Sequence, residues 1–186
     1  MRFLTDTDYE SIVEADELEV LTEGRQSVLL KAERMAVEKV RKIISRQYDT
    51  AQLLIQVLTF TDGQTYYPDD VASYTDGNGD TYIYTCLTET ATGPEANPAS
   101  WQVGDPRDIT LVEYSIYFTL YILYGKVAKR TVPEDRYEQY KEARDFLVSL
   151  QKDEVHVDWP RLLDEKGEEE RPLIRKGKPS TARHYY

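Results

Sequence analysis

The sequence predicts a mainly α protein, in which a small antiparallel helical bundle carries an inserted small β module and an extended C-terminal tail. Three observations lead to this prediction. Apolar residues recur at helical spacing in four stretches of the chain. Between the second and third stretches, residues 60–108 are rich in Gly, Pro, Asp, Thr and Tyr, which favours turns and short strands. After Gln151 no such pattern continues.

The first two helices are predicted from their N-terminal signals and their apolar spacing. The first covers residues 6–21, with Thr5 as a suitable N-cap and a break near Ala15. The second begins near Ser27, its expected N-cap, and continues to about Gln47. Its apolar positions recur at steps of three and four residues, which is typical of an amphipathic helix.

The third and fourth helices are expected to complete the bundle. The third, at residues 109–129, is the most apolar part of the chain. One of its faces is aliphatic, and a second face carries Tyr114, Tyr117, Tyr121 and Tyr124. Such a helix is central in a fold or is shared with a neighbouring subunit, and both uses stay open because tyrosine is also enriched at interfaces. The fourth helix begins at Pro133 and reaches Gln151.

The segment between the second and third helices predicts a small β module. Residues 51–59 are compatible with strand or helix, and an extended conformation is favoured. The Asp-Gly-Asn-Gly-Asp run at 76–80 predicts a tight turn, and residues 81–85 predict the strand after it. A structureless loop of this length would be unusual. We therefore expect three parts: a helical body (1–59 and 105–158), an inserted β module (60–104) and a C-terminal tail (159–186).

The charge of the chain is strongly uneven. The net charge is −11, which argues against general nucleic-acid binding, because phosphate neutralisation requires clustered Lys and Arg. Residues 171–186 contain bases but no acid, so this end carries about +5 and the remainder about −16. A basic end on an acidic body predicts docking onto something acidic. Before that end, residues 155–157 predict a short strand, and Trp159 is expected to anchor on the body or on a partner.

Motifs for catalysis and cofactor binding are absent from the sequence. There is no Gly-rich phosphate loop, no Gly-x-Ser-x-Gly and no His-Glu-x-x-His, so we expect no enzymatic activity and no cofactor. Asp76, Asn78 and Asp80 match the first three ligand positions of a calcium loop. Thr81 and Leu87 stand where that loop needs Gly and Glu, so a solvated hairpin turn is the better interpretation.

The remaining features do not indicate export from the cell that makes the chain. No apolar run reaches the roughly 18 residues that span a bilayer, and the first residues contain no signal-peptide segment. The single cysteine, Cys86, excludes an internal disulfide and is expected to be a small buried side chain. His156 and His184 lie in no metal-ligand motif and are expected at the surface.

Four helical segments, in order, carry a resemblance to a known family. They are residues 3–9 with 17–22; residues 32–49, ending in Arg46-Gln47-Tyr48; residues 109–125, ending in Tyr124-Gly125; and residues 133–147, followed by 155–157. In this order they resemble the small helical adaptors of Mu-like prophages, which belong to the head–tail connector proteins of tailed phages. The β module and the long C-terminal tail depart from the family's pattern.

This resemblance implies a structural protein of the virion at the head–tail junction, present in the host cytoplasm during assembly. It implies a ring of about twelve copies, following portal symmetry. The ring would bind the portal protein, contact further connector or tail proteins and extend the DNA channel. DNA would pass without specific binding, and no membrane is involved. Portal and subunit contacts are expected from Tyr114, Tyr117, Tyr121, Tyr124, Trp159, Arg171, Arg175, Lys176, Tyr185 and Tyr186.

The β module carries a resemblance of its own. The resemblance is to the small carbohydrate-binding modules of chitinases and phage tail proteins, and it rests on residues 67–71, Tyr74, Tyr82, Thr85, Asn97-Pro98 and Trp101. Those modules bind sugar against aromatic faces, so the candidates for glycan contact are Tyr82, Tyr84 and Trp101. Trp101 equally fits the core of the module. The alternative function is a virion accessory protein that displays this module, and the module could otherwise serve as a wedge between ring subunits or against the tail.

Overall fold

The structure, a computed structural model, describes residues 2–127 and 131–163, which form a mixed α and β fold. It is 46% helical and 15% strand. The helices in these residues are α1 (Asp6–Tyr9), α2 (Ala15–Thr22), α3 (Gln26–Ile44), α4 (Thr50–Leu53), α5 (Ile109–Ile122) and α6 (Glu134–Gln151). The strands are β1 (Val57–Thr59), β2 (Val71–Thr75), β3 (Thr81–Cys86) and β4 (Trp101–Val103).

The prediction of a mainly α bundle is wrong, because a four-stranded mixed sheet stands beside the helices. The strands lie in the order β1-β2-β3-β4, with β1 parallel to β2 and the other pairs antiparallel. β1 lies in residues 51–59, which the sequence made compatible with strand or helix and for which an extended conformation was favoured. The backbone of Arg2 also pairs with Val57, so the N-terminus joins the sheet. The predicted division into body, module and tail stays a prediction, and β1 lies on the body side of its boundary.

The predicted helices form, with differences at their ends. The break in the first helix is confirmed, because α1 ends at Tyr9 and α2 starts at Ala15. Ser27 is wrong as an N-cap: it lies inside α3, which is capped by Arg25 without a side-chain hydrogen bond. Pro133 is the N-cap of α6 rather than its first residue.

The structure differs from the sequence prediction at two further places. One is the end of the third predicted helix, and the other is the strand expected after the fourth. The helix begun by α5 continues as one π-helical turn, Leu123–Val127. The strand predicted at residues 155–157 is wrong. Residues 155–157 form no strand, and the next backbone pairing is the isolated bridge between Arg161 and Tyr48.

Two hydrophobic cores hold the described residues together. The larger lies between α3, α5 and α6, where alanines at 32, 36 and 143 are at most 1% exposed and allow the helices to approach closely. The smaller lies on one face of the sheet, around Tyr66, Ala72, Cys86 and Trp101. The hairpin turn predicted at 76–80 is confirmed, because Thr75 pairs with Thr81 across it.

Candidate interaction surfaces

One face of the sheet carries the side chains predicted for glycan contact. Tyr82 and Tyr84 are two residues apart on β3, so they point to the same face. Val103 pairs with Tyr84, and Trp101 pairs with Cys86, which brings β4 side chains to that face as well. Together they line a groove of about 310 Å³, here called the aromatic groove, formed by Tyr82, Tyr84, Pro94, Glu95, Pro98, Trp101 and Val103.

The three predicted glycan residues therefore meet in one place, but they do not contribute equally. Tyr82 is 45% exposed, whereas Trp101 is 5% exposed. The indole N–H of Trp101 donates to the carbonyl of Thr92 at 2.9 Å, and its ring packs edge-on against Tyr66 at 5.3 Å. Trp101 is thus a core residue that shows only an edge to the groove. The prolines at 94 and 98 were not predicted, since they come from a loop whose path has no local sequence signal.

The tyrosines predicted on α5 are half-buried against other parts of the same chain. Tyr121 stacks on Tyr140 of α6 with ring centres 3.9 Å apart, and Tyr114 packs edge-on against Phe146. The hydroxyl of Tyr124 donates to Glu17 at 2.9 Å. Much of this stripe is therefore packed against other residues of the same chain.

Burial also changes the acidity of these tyrosines. It raises the pKa of Tyr114, Tyr117 and Tyr124 above the ordinary value of 10.0. Hydrogen bonds to carboxylates add to the effect at two of them: the Tyr117 hydroxyl donates to Glu113, and that of Tyr124 to Glu17. These hydroxyls remain protonated donors at neutral pH.

A buried arginine joins the N-terminal segment to the start of α5. The Arg107 side chain has no exposed surface, and its guanidinium bonds to the carboxylates of Asp8 and Asp105 at distances from 2.6 to 3.1 Å. It also donates to the carbonyl of Phe3 at 2.5 Å. Nothing in the local sequence distinguishes this arginine from a surface one, because its partner Asp8 lies 99 residues away.

Trp159 anchors on the body of its own chain. Its indole N–H donates to Asp108 at 2.8 Å, while the other carboxylate oxygen of Asp108 caps α5 by accepting from the amide of Leu111. The ring packs edge-on against Tyr48 at 5.5 Å. Trp159 was expected to anchor on the body or on a partner, and in the structure it packs on the body. The other predicted docking residues, Arg171, Arg175, Lys176, Tyr185 and Tyr186, lie outside the described residues.

A groove along the outer side of α3 was not predicted. It measures about 690 Å³ and is here called the α3 groove. Its floor is apolar, and its walls carry charged side chains of both signs; the lining is Arg2, Phe3, Leu4, Leu30, Glu33, Arg34, Val37, Glu38, Arg41, Leu54 and Gln56. An apolar floor with charged walls is typical of a surface that binds an amphipathic partner.

The remaining candidate residues carry no assembled site. Cys86 is buried, as expected, and burial raises the pKa of its thiol. The His156 ring is exposed, 3.9 Å from Asp153, and His184 lies outside the described residues. In the turn at 76–80 the Asp76 carboxylate accepts from the amides of Asn78 and Asp80. The described residues contain no group of three His, Cys, Asp or Glu side chains placed to hold a metal ion.

Comparison with family models, curated proteins and solved structures gave no match for the chain. None of the helices in the described ranges has both the length and the apolar character that crossing a membrane requires.

Proposed function

We propose that the chain is a structural subunit of a phage head–tail connector, whose copies form a ring that binds the portal protein and extends the DNA channel toward the tail. The order of the helical segments in the sequence suggests this class of protein. The structural observation that supports it best is a line of exposed carboxylates on α6, here called the acidic row: Glu134, Glu138, Glu142 and Asp145.

The spacing of the acidic row places its four carboxylates on one side of α6. Its members follow one another at four, four and three residues, so they share one side of the helix. α6 has 18 residues, which corresponds to about 27 Å of helix. On the opposite side Ala143, Leu147 and Leu150 are fully buried in the larger core. The acidic row therefore runs along the outer surface of a firmly packed helix.

A surface of this kind suits the wall of a DNA channel. Phosphates are repelled by a line of carboxylates, so a duplex can slide past without being held. The bases close by are few: Lys141 lies 3.8 Å from Glu138, and Arg144 is exposed at the far end. In the proposed ring, each copy turns its acidic row toward the channel axis and its C-terminal residues toward the portal.

Disruption of the gene in the phage that encodes the chain tests this proposal. We expect filled heads and complete tails that do not join, with infectivity restored when the wild-type chain is supplied in trans. A control chain with Lys141→Ala, which leaves the acidic row intact, should restore it equally well. Joined, infectious particles in the absence of the chain would refute the proposal.

The aromatic groove supports a second candidate, a carbohydrate-binding accessory protein of the virion. Tyr82 is exposed and Tyr84 half-exposed on one face, beside Glu95, which can accept hydrogen bonds from sugar hydroxyls. A glycan array probed with the full chain tests this function. Specific binding that is lost in Tyr82→Ala but kept in Tyr67→Ala would support it, since Tyr67 is 58% exposed and lies outside the groove. An array without signal would exclude it for the glycans present.

A further inference from the structure

The outer side of α3 presents a stripe in which apolar and basic residues alternate. The stripe lies along one side of the helix, because its members are spaced by four, three and four residues: Leu30, Arg34, Val37 and Arg41. The core side of α3 is formed by other positions, among them Ala32, Ala36 and Val40. Leu30 is 38% exposed although it is a large aliphatic residue. The stripe thus forms one wall and part of the floor of the α3 groove.

The lining of the α3 groove includes three arginines, and these differ in how far their charges are paired. Arg2 is paired with Glu33 at 2.5 Å and with Asp6 at 2.8 Å, so its charge is fully compensated. Arg41 lies 3.6 Å from Glu38, a looser contact between two partly exposed side chains. Arg34 is exposed and forms no ion pair with any described residue. The groove therefore combines an apolar floor with at least one uncompensated guanidinium.

The exposed face of α2 has the complementary character. Asp16, Glu19 and Val20 lie on one side of the helix, and Glu23 follows as its C-cap. These four residues are here called the α2 face. Val20 is 51% exposed, and Leu21 on the opposite side is buried. Glu23 pairs with Arg25 at 2.6 Å, whereas Asp16 and Glu19 form no ion pair within the described part of the chain. The α2 face is an exposed apolar residue flanked by free carboxylates.

We infer that the α2 face of one copy docks into the α3 groove of the next copy, and that this contact links the ring. Val20 then covers Leu30 and Val37. The carboxylates of Asp16 and Glu19 meet the guanidinium groups of Arg34 and Arg41, which donate to carboxylates in bidentate geometry. The inference rests on the proposed connector function.

The contact joins two different surfaces, so it is head-to-tail. Every copy in such an array uses its α2 face on one neighbour and its α3 groove on the other, and the array closes when the rotation between copies allows it. The acidic row on α6 takes no part in the contact and stays free to face the channel. Charge complementarity also fixes the orientation, because two α2 faces repel each other and so do two α3 grooves.

Charge reversal on the two surfaces tests the contact. The first variant is Arg34→Glu with Arg41→Glu, and the second is Asp16→Lys with Glu19→Lys. All four side chains are at least partly exposed, so both variants should fold, which circular dichroism will verify. Self-association measured by sedimentation should fall at least about tenfold in each variant alone, because like charges then face each other. An equimolar mixture of the two should recover it, because each groove again meets an α2 face of opposite charge.

Disulfide trapping detects the contact even when association is weak. The full chain with both Val20→Cys and Leu30→Cys should give a ladder of covalent dimers, trimers and larger species under mild oxidation. Each single variant should give at most a minor dimer, and the native Cys86 is buried and should not react. A control with Val20→Cys and Val103→Cys uses a second position that is more exposed than Leu30, at 63% against 38%, and should still give no ladder.

The outcomes separate this inference from the proposed function. A ladder together with rescue in the mixture supports the contact. Absence of a ladder at high protein concentration, or a mixture of variants that fails to recover association, overturns it. If the chain is then still found in virions at the portal's copy number, the ring exists but is linked through other surfaces. If the chain is absent from virions, the proposed function fails instead.

Discussion

Replacing Arg107 by alanine tests the packing between the N-terminal segment and α5. The guanidinium of Arg107 is fully buried and binds Asp8, Asp105 and the carbonyl of Phe3. The side chain of Asp8 is only 11% exposed, so the substitution leaves a nearly buried carboxylate without its cation. Asp105 is 39% exposed and can regain water.

The expected loss of stability follows from this difference between the two carboxylates. Removing one partner of a buried ion pair costs about 3–5 kcal/mol, and the hydration of Asp105 places this case near the lower end, at about 3 kcal/mol. Arg107→Lys should cost less but remain destabilising, because one ammonium cannot reproduce the planar set of donors that reaches two carboxylates and a carbonyl.

Urea unfolding followed by circular dichroism measures this loss as a lower midpoint at unchanged slope. Lys141→Ala is the matched control: it removes an exposed cation whose ion pair spans 3.8 Å, so its stability should stay within about 0.5 kcal/mol of wild type. If Arg107→Ala also stays within about 1 kcal/mol, the buried network contributes little and the reasoning is refuted.

Two further predictions follow from the described contacts, and two more from the proposed function. The free energy of unfolding should fall as pH rises above about 10, because burial raises the folded-state pKa of tyrosines such as Tyr117 above 10.0 and unfolding then releases protons. Urea midpoints measured against pH would show this fall. In Tyr117→Phe the midpoint should depend less on pH. Gly93→Ala should destabilise the sheet by about 1 kcal/mol or more, since its new Cβ would lie 3.0 Å from the Tyr74 ring, while Gly77→Ala, with open space around it, should be neutral in the same unfolding assay. Reversing the acidic row in the triple variant E134K/E138K/E142K should create salt-dependent binding to duplex DNA in fluorescence anisotropy, where the wild-type chain gives none. Deleting residues 166–186 should leave the urea midpoint of the chain unchanged but weaken portal attachment in a pull-down, and unchanged attachment would contradict the predicted role of that segment.

The features that the sequence predicted well are those with a local signature. The amphipathic spacing of α3 identified the helix, although Ser27 was wrongly taken as its cap because the helix begins before it. The Asp-Gly-Asn-Gly-Asp run identified the hairpin turn between β2 and β3. The aromatic groove was identified in part, since Tyr82 and Tyr84 alternate along one strand and must share a face.

The features that the sequence missed depend on residues far apart in the chain. An extended conformation was favoured for residues 51–59, but the parallel pairing of β1 with β2 was not predicted, because such a pairing has no local pattern. The same reason explains the error in fold class. Arg107 finds its partner Asp8 across 99 residues, and the α3 groove exists only because residues 2–4 and 54–56 close its sides. Residues 155–157 alternate like a strand but find no neighbouring strand to pair with.

The copy number of the chain in the virion tests the connector proposal most directly. Quantitative mass spectrometry of purified virions and of their portal–tail complexes would compare this chain with the portal protein. We expect a one-to-one ratio that survives removal of the capsid shell. Absence of the chain from the particle, or a copy number unrelated to that of the portal, would contradict the proposed function.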